Sequence, residues 1–250
     1  RLTEAALNKP TNSDIYSTQM AEFVDTFGRV AQPDYLPYAF FIEGGGLAVE
    51  NALKVAFDWK VRKNLEAGNG EKGTKVIHFD ECFHGRTGYT LSLTDSPDPR
   101  KTLYFPKFDW PRITTPKLFF PLTEDNIANT GALEEKAKRE IENAIAENSH
   151  DIAAIILEPI QGEGGDNHFR KEFMEYLRTV SDENDIMLIH DEVQSGVGVT
   201  GKMWAHEHYG KKAKPDIICF GKKTQVCGIF VSNRVDAVEN NVFHESSRIN

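Results

Sequence analysis

The sequence predicts an α/β fold with a mostly parallel central sheet covered by helices. Three observations predict it. Short, fully apolar runs recur at Ile152–Leu157 (IAAIIL), residues 186–189 (IMLI) and Ile217–Phe220 (IICF), each the length of a strand buried on both faces. Amphipathic segments with apolar residues at helical spacing separate them. The runs end in Glu158-Pro159, in His190-Asp191-Glu192 and in Gly221-Lys222-Lys223, where open α/β sheets present groups to ligands.

Residues 1–38 read as a lead-in interrupted by Pro10, Pro33 and Pro37, with a helix over 18–30 through Met20, Phe23, Val24 and Phe27. Residues 39–250 read as one large domain. It opens with a short apolar run (39–42), the turn Gly44-Gly45-Gly46 and a helix over 47–64 whose stripe is Ala48, Ala52, Val55 and Trp59. Lys75–Phe79 is the next strand. Residues 96–122 hold many prolines and aromatics and read as a long loop. An amphipathic helix over 134–148 (Ala137, Ile141, Ile145), another over 169–180 and a short one near 203–209 complete the pattern. Starting at Arg1 and closing on SRIN without a closing pattern, the chain reads as an excerpt of a longer protein.

With 29 basic and 38 acidic residues the net charge is −9 and no basic cluster stands out, which argues against a nucleic-acid surface. Cys82, Cys219 and Cys227 are scattered, a pattern of reduced thiols in a cytoplasmic protein rather than a disulfide framework or zinc site. No apolar run reaches the roughly 18 residues of a membrane span.

Each candidate site residue has an ordinary explanation beside the functional one. Asp191 after a strand is commonly a turn or cap residue; a glycine turn before a helix serves geometry, yet Gly45 and Gly46 also offer bare N–H groups to a phosphate. It is neither a Walker loop nor a dinucleotide fingerprint, since Val49 stands at the third glycine. Gly196, Gly198 and Gly201 spell G-x-G-x-x-G but follow a polar turn, not a strand. Phe83 beside His84 suits stacking on a planar cofactor, although a core Phe beside a surface His is the ordinary reading. His78, Asp80, His84, His190, Asp191, His206 and His208 are a conceivable metal set without a tight ligand pattern, and a metal-dependent hydrolase stays an alternative. Lys222 after a strand and a glycine is placed to act as a nucleophile toward carbonyls.

Phosphate turn, stacking ring, acid and lysine together are the parts of a pyridoxal 5'-phosphate site. Their wording, GGGLAVENALK, FHGRTGYTLSLT, EPIQGEGG, IHDEVQSGVGVTGK and PDIICFGKK, resembles the class III aminotransferases of the aspartate-aminotransferase fold (fold type I). FPKFDWPRI, FGKKTQVCG and the closing SRIN resemble the branch that moves the terminal (6-) amine of L-lysine to 2-oxoglutarate. The resemblance implies that Lys222 carries the Schiff base and Asp191 pairs with the pyridinium nitrogen. It further implies Val193 and Phe83 on the two ring faces, His84 beside the ring, Gln194 at its phenolic oxygen, and Gly45 and Gly46 at the phosphate. Glu163 matches an acid that pairs with, or turns away from, an arginine expected beyond residue 250. A homodimer is implied, with a phosphate contact from the partner. The family's G-x-G-R-T-G wording fails at Val199, as in the lysine branch. Other omega-aminotransferases, acting on ornithine or 4-aminobutyrate, are the near alternatives.

Overall fold

The computed structural model describes residues 17–245, 248 and 249; Pro10 of the lead-in, and Ser247 and Asn250 of SRIN, lie outside the described residues. Helix α1 (Thr18–Ala31) is capped by Ser17, whose hydroxyl accepts the Met20 N–H. Strand β1 (Tyr38–Ile42) leads through the glycine turn into helix α2 (Gly45–Glu66), then strand β2 (Lys75–Phe79) and the one-turn helix α3 (Thr90–Leu93). The Pro-rich stretch is irregular as expected, except for a 3-10 turn at Pro99–Lys101 and for β3 (Arg112–Ile113), which adds an edge strand beside β2.

Helix α4 (Glu124–Glu147) begins ten residues before the start that apolar spacing predicts. Its buried side is Thr130, Glu134, Ala137, Ile141 and Ala144, so the spacing is helical but the first two residues are polar. They are satisfied locally: Thr130 Oγ1 donates to the Lys117 carbonyl at 3.2 Å, and Glu134 accepts Arg170 Nε at 2.8 Å. Thr123 caps the start, and Glu124 and Asp125 complement the dipole.

After β4 (Ile152–Leu157) come the small hairpin β5 (Ile160–Gln161) with β6 (Asn167–His168), helix α5 (Lys171–Glu183), β7 (Met187–Asp191), β8 (Ile217–Phe220) and β9 (Cys227–Val231). The expected short helix near 203–209 is a 3-10 helix, Ala205–Tyr209. The main sheet has the order β1-β9-β8-β7-β4-β2-β3. Pairs from β8 to β3 are parallel, whereas β9 runs antiparallel to both β8 and β1. The sheet is therefore mostly parallel, as read from the sequence, with one antiparallel margin that the sequence reading lacked.

Side chains of a strand alternate between faces, and here both faces are covered. Ala154 and Ile156 of β4, Met187 and Ile189 of β7, and Cys219 of β8 pack in one cluster with Ala48, Ala52, Val55 and Trp59 of α2. Ile155, Leu157 and Leu188 pack in a second cluster with Ala137 and Ile141 of α4 and Phe173 and Leu177 of α5. On this second side, near β8 and β9, Phe27 of α1 meets Phe220, Phe230 and Trp204. Asp191 has the parity of Met187 and Ile189, so at the carboxyl end of β7 it emerges on the α2 face. Among the described residues no helix is long and apolar enough to cross a membrane.

Candidate active site

The α2 helix starts where the chain must turn sharply from β1. Gly44, its N-cap, has φ 97°, in the left-handed region that side chains avoid, and contributes no capping side chain. The first amides of the helix are thus left to an outside acceptor, with the positive end of the dipole behind them. A Cβ on Gly45 would stand 2.8 Å from Val193 Cγ1, so the helix start is packed directly on the segment after β7.

Asp191 is 4% exposed. Its Oδ2 accepts His84 Nδ1 at 2.8 Å and its Oδ1 accepts the Val193 N–H at 3.1 Å. His84 is fully enclosed, its Nε2 finds no partner, and its main-chain N–H donates to Thr94 Oγ1 at 3.0 Å. Burial by itself would lower the His84 pKa; Cys82 and Asp191 beside it outweigh that cost and hold it well above the ordinary histidine value.

Lys222 lies just past β8, in a turn pinned by the Thr224 N–H to the Gly221 carbonyl at 2.8 Å. Its Nζ donates to Gln194 Oε1 at 2.7 Å, while Lys223 Nζ donates to the Gln194 carbonyl at 2.9 Å. One glutamine thus fixes two neighbouring lysines, and Lys223 is the one spent on the main chain. A Cβ on Gly221 would be 2.6 Å from Cys227 Sγ and 3.6 Å from Val193 Cγ1. Val193 therefore touches both the helix start and the lysine turn, joining three strand ends in one place.

Phe83 is half-buried, held through its N–H to Glu158 Oε1 at 2.8 Å. The other oxygen of Glu158 accepts the Gly162 N–H at 3.2 Å, so one carboxyl ties the Phe83 turn to the QGEGG loop. Burial pushes the Glu158 carboxyl up to about 7, with Asp191 adding to the shift and His84 opposing it. Sequence reasoning missed this residue: a Glu before Pro reads as a strand end, and its bonds are to main-chain groups 75 and 4 residues away. Glu50 on α2 was missed in the same way; it accepts Thr87 Oγ1 at 2.6 Å and the Tyr89 N–H at 2.7 Å. Glu163 accepts Ser96 Oγ at 2.7 Å and also Lys101 Nζ.

The alternative metal set does not assemble. Among the described residues no three His, Cys, Asp or Glu are placed to hold one ion. His84 is spent on Asp191, His206 on Glu192 at 2.8 Å, His78 on the Leu93 carbonyl at 2.9 Å and His208 on Thr200. The G-x-G-x-x-G run is likewise a turn: a Cβ on Gly196 would stand 2.6 Å from the Trp204 ring, and Val199 is 58% exposed.

The residues present fit a flat ring bearing a phosphate. Bare amides stand at the helix start, a buried acid at the end of β7 and an amine at the end of β8, with Val193 packed between the first and the last. The family model for aminotransferase class-III matches residues 6–246. L-lysine-epsilon aminotransferase of Mycobacterium tuberculosis is 54% identical over 250 residues, covering 100% of this chain and 54% of that protein. The protein of the same name from Amycolatopsis lactamdurans is 49% identical over 248 residues, 99% of this chain and 54% of its own length. A 4-aminobutyrate aminotransferase of Emericella nidulans is 34% identical over 249 residues, 93% of this chain and 50% of its own. The crystal structure of a lysine aminotransferase from M. tuberculosis in the internal aldimine form superposes with a TM-score of 0.93 at 54% identity, over 100% of this chain and 56% of that one. The chain thus spans about half the length of the curated relatives it matches. Sheet, site and relatives agree, and the chain belongs to the class III aminotransferases, a pyridoxal-phosphate-dependent family of fold type I.

Proposed function

We propose that the protein is an aminotransferase that moves the terminal amine of L-lysine to 2-oxoglutarate, giving 2-aminoadipate 6-semialdehyde and L-glutamate. One observation carries the reading: Asp191, Lys222 and the α2 start converge at the carboxyl ends of β7 and β8, with Val193 in contact with both the helix start and the lysine turn. The donor and acceptor rest on the relatives named L-lysine-epsilon aminotransferase and on the wording shared with that branch.

Pyridoxal phosphate, when bound, supplies an aldehyde for covalent attachment and an electron sink for a substrate carbanion. Gly45 and Gly46 would hold its phosphate through main-chain N–H groups, and Phe83 and Val193 would flank its ring. Asp191, itself held by His84, would keep the ring nitrogen protonated. Gln194 would bond the phenolic oxygen and keep the Lys222 amine oriented. Displaced by the substrate amine, Lys222 would take the proton from the amine-bearing substrate carbon as general base and deliver it to the cofactor as general acid. Glu163 would face the part of the substrate remote from the reacting carbon.

In this reading residues 39–250 are the larger, cofactor-binding part of a two-domain subunit, residues 1–38 are its lead-in, and the active enzyme is a cytoplasmic homodimer. The test is a competition assay on the full-length protein with equal lysine, ornithine and 4-aminobutyrate. Lysine turnover that dominates and vanishes in Lys222→Ala supports the reading. Preference for 4-aminobutyrate, the substrate named for the E. nidulans relative, overturns the choice of amine, and full activity of Lys222→Ala overturns the mechanism.

A further inference from the structure

Asp191, Val193 and Gln194 are assigned above to the cofactor; Glu192, set among them, is 1% exposed and has no part in that mechanism. Its main chain is fixed twice. The Glu192 N–H donates to the Cys219 carbonyl of β8 at 2.9 Å, and the Glu192 carbonyl accepts the Gly196 N–H at 2.9 Å, which closes a turn over residues 192–196. The side chain accepts four further bonds. Oε1 takes the main-chain N–H and the Nδ1 of His206, both at 2.8 Å; Oε2 takes the Ala205 N–H at 2.8 Å and Ser195 Oγ at 2.9 Å. Such a set of donors suits a carboxylate, which accepts through both oxygens and donates through neither.

Three of these donors come from the start of the 3-10 helix Ala205–Tyr209, 13 or 14 residues along the chain. His206 is buried, and its Nε2 meets the Tyr35 hydroxyl at 2.5 Å, so the imidazole is bonded at both ends. Burial, with Glu192 adding to it, raises the Tyr35 phenol above its ordinary pKa, so Tyr35 keeps the proton that Nε2 accepts. Tyr35, His206 and Glu192 thus form one hydrogen-bonded chain from the segment before β1 to the turn after β7. On the other side of that turn Val193 stands against the α2 start and the lysine turn, and Gln194 holds the Lys222 and Lys223 amines. Any shift of Glu192 passes to both, because they are the next two residues of a closed turn.

We propose that Glu192 is a positioning residue: clamped by His206, and through it by Tyr35, it sets the place of Val193 against the cofactor ring and of Gln194 against the Lys222 amine. The proposal deepens the transaminase reading and rests on it for what Val193 and Gln194 meet. Misplacement of a reacting group by about 1 Å lowers a rate by up to roughly 100-fold, so a clamp remote from the chemistry acts on kcat rather than on substrate affinity.

The experiment compares full-length holoenzyme as wild type, Glu192→Gln, His206→Leu and His206→Asn. Glu134→Gln, at a buried acid of α4 held by Arg170, controls for lost stability alone. The readouts are kcat and KM for lysine and the visible circular dichroism of the cofactor, which reports the asymmetry of its surroundings, all per bound cofactor. Whichever way a glutamine at 192 turns, its amide nitrogen faces a main-chain N–H, that of Ala205 or of His206. Glu192→Gln and His206→Leu should lower kcat about tenfold or more, change KM less than about threefold and reduce the dichroic band by about half or more. His206→Asn, whose side-chain nitrogen stands where Nδ1 stood, should regain about fivefold of the kcat lost in His206→Leu. Glu134→Gln should unfold more easily with its dichroic band and kcat unchanged. Values within about twofold of wild type in both Glu192→Gln and His206→Leu overturn the proposal, as does an equal loss in Glu134→Gln. Wild-type protein that binds the cofactor without turnover on any amine sinks the transaminase reading instead, and the dichroic comparison still decides the role of Glu192.

Discussion

Replacing Asp191 by asparagine removes one charge from a carboxylate that is 4% exposed and keeps its size. The structure fixes what is lost. Oδ2 accepts His84 Nδ1 at 2.8 Å and Oδ1 accepts the Val193 N–H at 3.1 Å, so both oxygens are acceptors of fixed donors. An amide has one acceptor and one donor end, so it can serve His84 or Val193 but sets N–H against N–H at the other. A hydrogen bond between charged groups contributes about 1.5–3 kcal/mol, so this contact alone corresponds to roughly 10- to 100-fold in any step that depends on it. In the proposed mechanism the step most exposed is proton abstraction by Lys222, since a neutral partner would no longer hold the ring nitrogen charged. Two assays read the change. Single-turnover kinetics with lysine should slow by about tenfold or more while the cofactor stays bound. NMR titration of His84 should move its pKa down toward the ordinary histidine value, because Asp191 is one of the groups that raise it. Unchanged kinetics with an unchanged His84 titration would refute the reasoning.

Gly45→Ala brings a Cβ to 2.8 Å from Val193 Cγ1. Overpacking costs about 1–3 kcal/mol and the helix-propensity gain is at most about 1 kcal/mol, so the variant should be destabilised by up to about 2 kcal/mol. Cofactor affinity, read by fluorescence titration of the apoenzyme, should fall about tenfold as Val193 and the helix start are pushed apart; a change below about twofold contradicts the packing argument. Glu158 gives a pH prediction. Its folded pKa, about 7, lies above its ordinary 4.5, so the folded state holds this proton more tightly. Its contribution is fully present below about 4.5 and is lost as pH rises to about 7, on the order of 3 kcal/mol. Glu158→Gln should be less sensitive than wild type to a shift from pH 5 to pH 8 in urea unfolding; an identical pH dependence in both would show that Glu158 is not the group responsible.

The strands were legible where burial on both faces made the run wholly apolar, as in β4 and β8, or apolar but for a buried histidine and one polar end residue, as in β2 and β7. β9 was not, because Gly228 interrupts it, and the structure explains the glycine: a Cβ there would stand 2.3 Å from the Phe40 carbonyl oxygen. The first turns of α4 were hidden by Thr130 and Glu134, which face inward but are polar. At the site, Asp191, Lys222 and the glycine turn were visible as strand-end residues whose meaning lay in their conjunction. Glu158 and Glu50 were not visible, since each works through main-chain and hydroxyl donors that only the fold brings near.

The central claim is that the amine of Lys222, and not that of its neighbour Lys223, meets the cofactor. The most direct measurement is borohydride reduction of the full-length protein loaded with pyridoxal phosphate, followed by peptide mapping by mass spectrometry. Attachment of the phosphopyridoxyl group to Lys222 alone is the predicted result. Attachment to Lys223, which the structure commits to the Gln194 carbonyl, or to a lysine remote from Asp191, would contradict the account.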